Sequence, residues 1–128
     1  MEEKYFKKSD GWLFATLKYF RKWEKINIYK IISTGNMINH AIFTLNEIND
    51  GLSRLISENY IELKNNYVKI TMKGKNFIKS HQKNFELCID EQVRYSNLFH
   101  NILLENHTTY KEYFSANEYD MAVNKYCK

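Results

Sequence analysis

The sequence predicts a mainly α-helical chain that carries one small β-hairpin. Three observations predict it. A capping box at Thr44 opens an amphipathic run, two short β-prone runs flank Asn65-Asn66, and a further cap at Thr71 restarts a helix after them.

In chain order, residues 1–9 are polar and charged apart from Tyr5 and Phe6, and read as an arm or one extra turn. From Asp10 the pattern becomes helical, with Leu13, Leu17 and Phe20 on one face, Trp12 and Trp23 nearby, and Lys18, Arg21, Lys22 and Lys25 outside. Asn27 can cap the next helix, whose stripe is Ile28, Ile31, Ile32, Ile38 and Ile42. Gly35 and Gly51 fall on the apolar stripes of consecutive helices, where Gly is worse than Ala by about 1 kcal/mol. A close crossing of those two helices would compensate. The competing expectation is that Ser33-Thr34-Gly35-Asn36 breaks its helix in two.

In Thr44-Leu45-Asn46-Glu47 the Thr hydroxyl can accept the amide three residues on while the Glu side chain returns the bond. Leu45, Ile48, Leu52, Leu55 and Ile56 then form one stripe. This leaves Asn46, Asn49, Asp50, Ser53, Arg54 and Ser57 outside. Asn59 suits a left-handed stop. Tyr60-Ile61-Glu62-Leu63 alternates, Lys64-Asn65-Asn66 is turn chemistry, and Tyr67-Val68-Lys69-Ile70 is rich in β-branched and aromatic side chains.

The run Leu52-Ser53-Arg54-Leu55-Ile56-Ser57-Glu58-Asn59-Tyr60-Ile61 resembles the end of the recognition helix and the first wing strand of winged helix-turn-helix regulators, with Asn59 where Gly is usual. Ile70-Thr71-Met72-Lys73-Gly74 resembles their strand-to-helix signature after the wing. The resemblance covers roughly residues 10 to 80 and is to small bacterial winged-helix proteins. It implies a winged-helix domain over 10–83 with an arm at 1–9, a C-terminal helical extension over 84–128, and DNA binding in transcription regulation.

The extension reads as helical to about Leu104, with Ile78, Phe85, Cys88, Ile89, Val93, Leu98, Phe99, Ile102 and Leu103 as apolar content. Breaks are expected near Ser80 to Asn84 and at Asn106-His107-Thr108-Thr109. Ser115-Ala116-Asn117-Glu118 is a second capping box, opening a last short helix. Such helices need a surface to cover, either the winged helix itself or a second copy, and the expectation is a homodimer.

At 128 residues the chain suits one domain with an appendage. It has no run of 18 apolar residues and no secretory opening, which points to a cytoplasmic protein without a membrane span. Cys88 and Cys127 are far apart, and read as reduced thiols rather than a disulfide or zinc pair. His40, His81, His100 and His107 lack metal-ligand spacing, and no phosphate loop or nucleophile elbow occurs. Neither an enzyme nor a cofactor is expected. The many Tyr and Phe residues are explained by core packing more simply than by a ligand pocket.

Charge divides the chain. Residues 1–30 carry eight basic and four acidic groups, and residues 64–83 carry six lysines and no acid. Between Thr44 and Leu63, Glu47, Asp50, Glu58 and Glu62 stand against Arg54 alone, a net of −3. Acids near the start of a recognition helix oppose entry into a groove flanked by phosphates. Glu47 is a capping partner and Asp50 complements the helix dipole, although either can accept from a cytosine amine. The expected partner is double-stranded DNA, met by Asn46, Asn49, Ser53 and Arg54 of the recognition helix and by Lys64, Lys69, Lys73 and Lys75 of the wing and the helix after it. The alternative is a protein-interaction scaffold whose acidic helix faces a protein.

Overall fold

The computed structural model describes residues 4–81 and 88–127. The chain is mainly helical with a small antiparallel sheet. Its elements run α1 (Lys8–Leu17), β1 (Glu24–Lys25), α2 (Ile28–Asn39), α3 (Leu45–Ser57), β2 (Ile61–Lys64), β3 (Tyr67–Ile70), α4 (Met72–Ser80), α5 (Cys88–His100) and α6 (Ala116–Tyr126).

The expected caps form. Asn27 accepts Lys30 N–H at 3.2 Å, and Thr44 accepts Glu47 N–H at 3.1 Å while Glu47 returns the bond to Thr44 N–H at 2.8 Å. Thr71 accepts Gly74 N–H at 3.1 Å, and Ser115 and Glu118 form the last box. Asn59 takes a left-handed φ of 65°, and Asn65 and Asn66 follow with 53° and 67°. Two successive residues with positive φ make the turn whose twist suits a tight hairpin, so β2 and β3 pair with Leu63 opposite Val68 and Lys64 opposite Tyr67. The strand the periodicity does not reveal is β1, only two residues long. It pairs with β3 through Glu24 opposite Val68 and Lys25 opposite Tyr67, giving the order β1-β3-β2.

Two helix expectations need correction. α1 ends at Leu17, so Phe20 reaches the core from a turn rather than from a longer helix. α2 runs unbroken through Gly35, and the two singled-out glycines do not meet each other. A Cβ on Gly35 would lie 2.4 Å from the Phe43 ring, and one on Gly51 would lie 2.8 Å from Leu13 of α1. Two helices approach closely at Gly11, where a Cβ would lie 2.3 Å from the Tyr95 carbonyl oxygen and 2.6 Å from Ser96 Cα. Only glycine lets the backbones of α1 and α5 come so close.

That crossing places α5 inside the core instead of on an appendage. Phe6, Phe14, Tyr60, Phe77, Tyr95 and Phe99 form one cluster of edge-on and tilted rings. Phe99 of α5 lies 5.0 Å from Phe6, 5.2 Å from Phe14 and Tyr60, and 4.8 Å from Phe77. The arm is therefore held, with Phe6 buried, Phe6 N–H on Ile102 O and Leu104 N–H on Lys4 O. Ile31, Ile38, Leu52 and Leu55 are buried as the stripes require, while Ile56, Leu63 and Ile70 are half-buried beside them. Val93 and Leu103, counted as apolar content, are exposed. The expected helical content at Phe85 lies outside the described residues. α6 packs on α2, where Tyr126 donates to Asn36 Oδ1 at 2.6 Å, and Tyr119 donates to Phe43 O in the loop after α2 at 2.6 Å. The surface that the C-terminal helices need is thus supplied by their own chain, and the argument that they require a second copy lapses.

Candidate functional site

Two surfaces carry the residues that the sequence offers to DNA, the outer side of α3 and the face built by the sheet and α4. They differ in what already occupies them.

Between α5 and α6 the chain runs without helix from Asn101 to Phe114 and lies along α3 as a strap. The α3 side chains bind its backbone. Asn49 Oδ1 accepts Tyr113 N–H at 3.1 Å and Phe114 N–H at 3.0 Å, and Asn49 Nδ2 donates to Phe114 O at 3.0 Å. Ser53 Oγ accepts Lys111 N–H at 3.0 Å. Glu58 takes Glu105 N–H at 2.9 Å on one oxygen and Asn106 N–H at 2.7 Å on the other, and Asn106 Nδ2 donates to Ser57 O at 2.8 Å. The α3 face and Glu58 just beyond it thus satisfy five strap amides, while Leu104 N–H is met by the arm through the Tyr5–Leu103 bridge.

Arg54 is sealed differently. Its Nε and Nη2 donate to the two oxygens of Asp10 at 2.7 and 3.0 Å, and its Nη1 donates to Tyr110 Oη at 3.1 Å. The side chains of Arg54 and Asp10 are 3% and 0% exposed, which makes this a buried bidentate pair. Burial disfavours the guanidinium charge, but the hydrogen bond and charge of Asp10 outweigh it and hold the group above its ordinary pKa. Asp10 also accepts Lys7 N–H at 2.8 Å and so caps α1 with the same carboxylate.

The placement of Asn49, Ser53 and Arg54 on an outer face is therefore corrected: all three are buried and bonded within the chain. Asn46 is exposed, and Asp50 and Ser57 are half-buried, which leaves α3 a narrow open strip with an acid in it.

The sheet face is open. Lys64 and Lys75 are exposed, and Lys69 is half-buried with its Nζ 3.8 Å from Glu62 and 5.1 Å from the centre of the Trp23 ring. Lys73 is partly committed, because its Nζ donates to Glu58 O at 2.8 Å and sits 4.6 Å from the Tyr60 ring. Trp23, at φ 57°, adopts a left-handed conformation unusual for so bulky a residue and turns the chain into β1. The β1–β3 pairing then brings the basic segment near residue 20 against the basic hairpin. Arg21, Lys22, Lys69 and Lys75 line one cleft, and Lys25 lies across from Tyr67 at the hairpin end. Sequence reasoning noted both basic segments without joining them.

Acids on this face are engaged. Glu24 accepts Arg21 N–H at 2.9 Å and Lys30 Nζ at 2.5 Å, and the Lys30 hydrogen bond first, then the Arg21 amide, hold its carboxyl below the usual glutamate range. Among the described residues no group of three or more His, Cys, Asp and Glu is placed to hold a metal ion, and no helix is long and apolar enough to cross a membrane. No family model, no curated protein and no solved structure matches the chain.

Proposed function

We propose that α1 to α4 with the sheet are a winged helix-turn-helix, and that the protein binds double-stranded DNA through phosphate contacts from the wing side, with α3 withheld from the groove. The observation that carries this reading is the junction of two basic segments at the β1–β3 pair, where Arg21, Lys22, Lys69 and Lys75 share one cleft while Glu24 is bonded to Lys30. Phosphate contacts position a protein without reading sequence, so such a module discriminates weakly between sequences. A role in transcription regulation then rests on position along DNA or on a partner rather than on base readout by α3.

Fluorescence anisotropy on mixed-sequence duplex DNA at several salt concentrations tests the reading. Affinity should fall steeply with salt, and Lys69→Gln with Lys75→Gln should weaken binding to all sequences alike, flattening the slope of log affinity against log salt by up to about two units. The acids Glu47 and Asp50 in the open strip of α3 favour a second reading, a winged-helix scaffold whose acidic helix faces a protein partner. That reading predicts no salt-steep DNA binding, and its outcome in the same assay would overturn the first.

A further inference from the structure

Next to the close approach of Gly11 and Ser96 lies a cavity of about 350 Å³, walled by residues of α1, α2, α3 and α5. Two of its residues are almost closed to solvent, Gln92 at 6% and Ser96 at 5% exposure. Gln92 Nε2 donates to Ser96 Oγ at 2.6 Å, whereas Gln92 Oε1 is buried with no hydrogen-bond partner among the described residues. A carboxamide oxygen so placed is uncommon, because its lost hydration goes uncompensated until a donor reaches it. The other wall residues narrow what that donor belongs to. Lys8 and Glu47 carry opposite charges, and one Glu47 oxygen already holds the Thr44 amide, so the wall favours no ion of either sign. Asn39 and Asn97 add carboxamides, which both donate and accept. Val93, 48% exposed, supplies open apolar surface beside Gln92.

We propose that this cavity binds a small neutral molecule through a lactam or carboxamide edge, its N–H donating to Gln92 Oε1 and its adjacent C=O accepting the Ser96 O–H. The Gln92 carboxamide and Ser96 Oγ are already in contact, so one N–H and C=O pair spans both. A turn about the last torsion of Gln92, which is broad, presents the oxygen to the cavity. At about 350 Å³ the space lies near the lower bound of ligand pockets, about 300 Å³, and suits a single ring. The site shares no residue with the cleft of Arg21, Lys22, Lys69 and Lys75, and it stands whether or not that cleft meets DNA.

The test is a titration of the 15N-labelled full chain, without DNA, followed by amide chemical shifts. The probes are uracil, which carries lactam edges on one ring, and N,N′-dimethyluracil, which keeps the ring and both carbonyls but has no N–H. Uracil should move amides of residues 8–12 and 92–97 saturably, and the dimethyl ligand should bind weaker by about tenfold or more, the loss expected when a buried acceptor goes unmet. In Gln92→Leu, checked for folding by its melting temperature, uracil should lose that advantage over its dimethyl analogue. Ser96→Ala should lower uracil affinity by a few-fold. Equal binding of the two ligands to the native chain would overturn the role of the Gln92 oxygen, and needs no variant to fold. A preference for uracil that persists in Gln92→Leu would overturn the same role, and absence of saturable shifts at these residues would overturn the site.

Discussion

The outer side of α3 and the sheet face carry side chains that look equally available in the sequence, yet the chain closes the first and leaves the second open. On α3, short polar groups sit at helical spacing beside an extended strap, and they become hydrogen-bond partners of its amides. On the sheet face, long lysines project from a hairpin and from the start of α4 with few acids in reach. Short polar side chains next to a core are therefore weak indicators of a binding surface, because burial with a partner satisfies them as well as water does. Clustered lysines are better indicators, since Lys64 and Lys75 stay exposed and only Lys69, at 3.8 Å from Glu62, has a carboxylate near it among the described residues.

The largest expected effect tests the closed side. Asp10→Ala leaves the Arg54 guanidinium buried without its counter-ion, and breaking a buried pair in this way costs about 3–5 kcal/mol. Urea unfolding measures it. Replacing both partners, Asp10→Leu with Arg54→Met, should restore much of the loss, since two apolar side chains of similar size need no charge partner. A loss under about 1 kcal/mol for Asp10→Ala would mean that Arg54 reaches water readily, and the contrast between the two faces would weaken.

The next effect concerns the strap. Asn49→Ala removes one acceptor shared by two amides and one donor to Phe114 O, leaving three strap groups to find water or stay unpaired. The expected cost is about 2–4 kcal/mol. Amide exchange over residues 105–114 should accelerate well beyond that of α1 and α5. Uniform acceleration across the whole chain would show instead that strap and core open as one unit, and that α3 has no separately removable cover.

How far these faces were legible in the sequence depends on the reach of each interaction. Thr44 with Glu47, Ser115 with Glu118, and Asn65-Asn66 act over two to four residues, so their chemistry is readable locally and their elements form as expected. Gly35 and Gly51 are recognisable as close approaches, but the groups that approach them, Phe43 of the loop after α2 and Leu13 of α1, follow from tertiary packing and not from helix periodicity. The partner of Arg54 is 44 residues away and the partners of Asn49 are 64 and 65 away. No window of helical length contains such pairs. β1 escapes detection for another reason: Glu24-Lys25 has no hydrophobic alternation, and only the edge of β3 makes it a strand. Lys64, Lys69, Lys73 and Lys75 of the hairpin and α4 are readable by composition, whereas Arg21 and Lys22 join this face only through that two-residue pairing.

The smallest expected effect refines the open side, where Glu24 is bonded to Lys30 and to the Arg21 amide beside the cleft. Glu24→Gln removes a charged acceptor from Lys30 and Arg21 N–H, and for a partly exposed pair the cost at neutral pH should stay below about 1 kcal/mol. The sign with pH follows from the lowered pKa of Glu24, whose causes are the Lys30 hydrogen bond and then the Arg21 amide. A depressed carboxyl contributes stability that is fully present above its unfolded pKa and is lost as pH falls through its folded value. The difference between the native chain and the variant should therefore shrink below about pH 4 and vanish in stronger acid. At neutral pH the same substitution removes the negative charge that offsets Lys30 beside the cleft, so duplex affinity should rise slightly and its salt slope should steepen. Weaker DNA binding by Glu24→Gln would mean that the Glu24 bond to the Arg21 amide orders the turn for contact. The turn after α1 would then belong to the binding surface by its shape as well as by its charge.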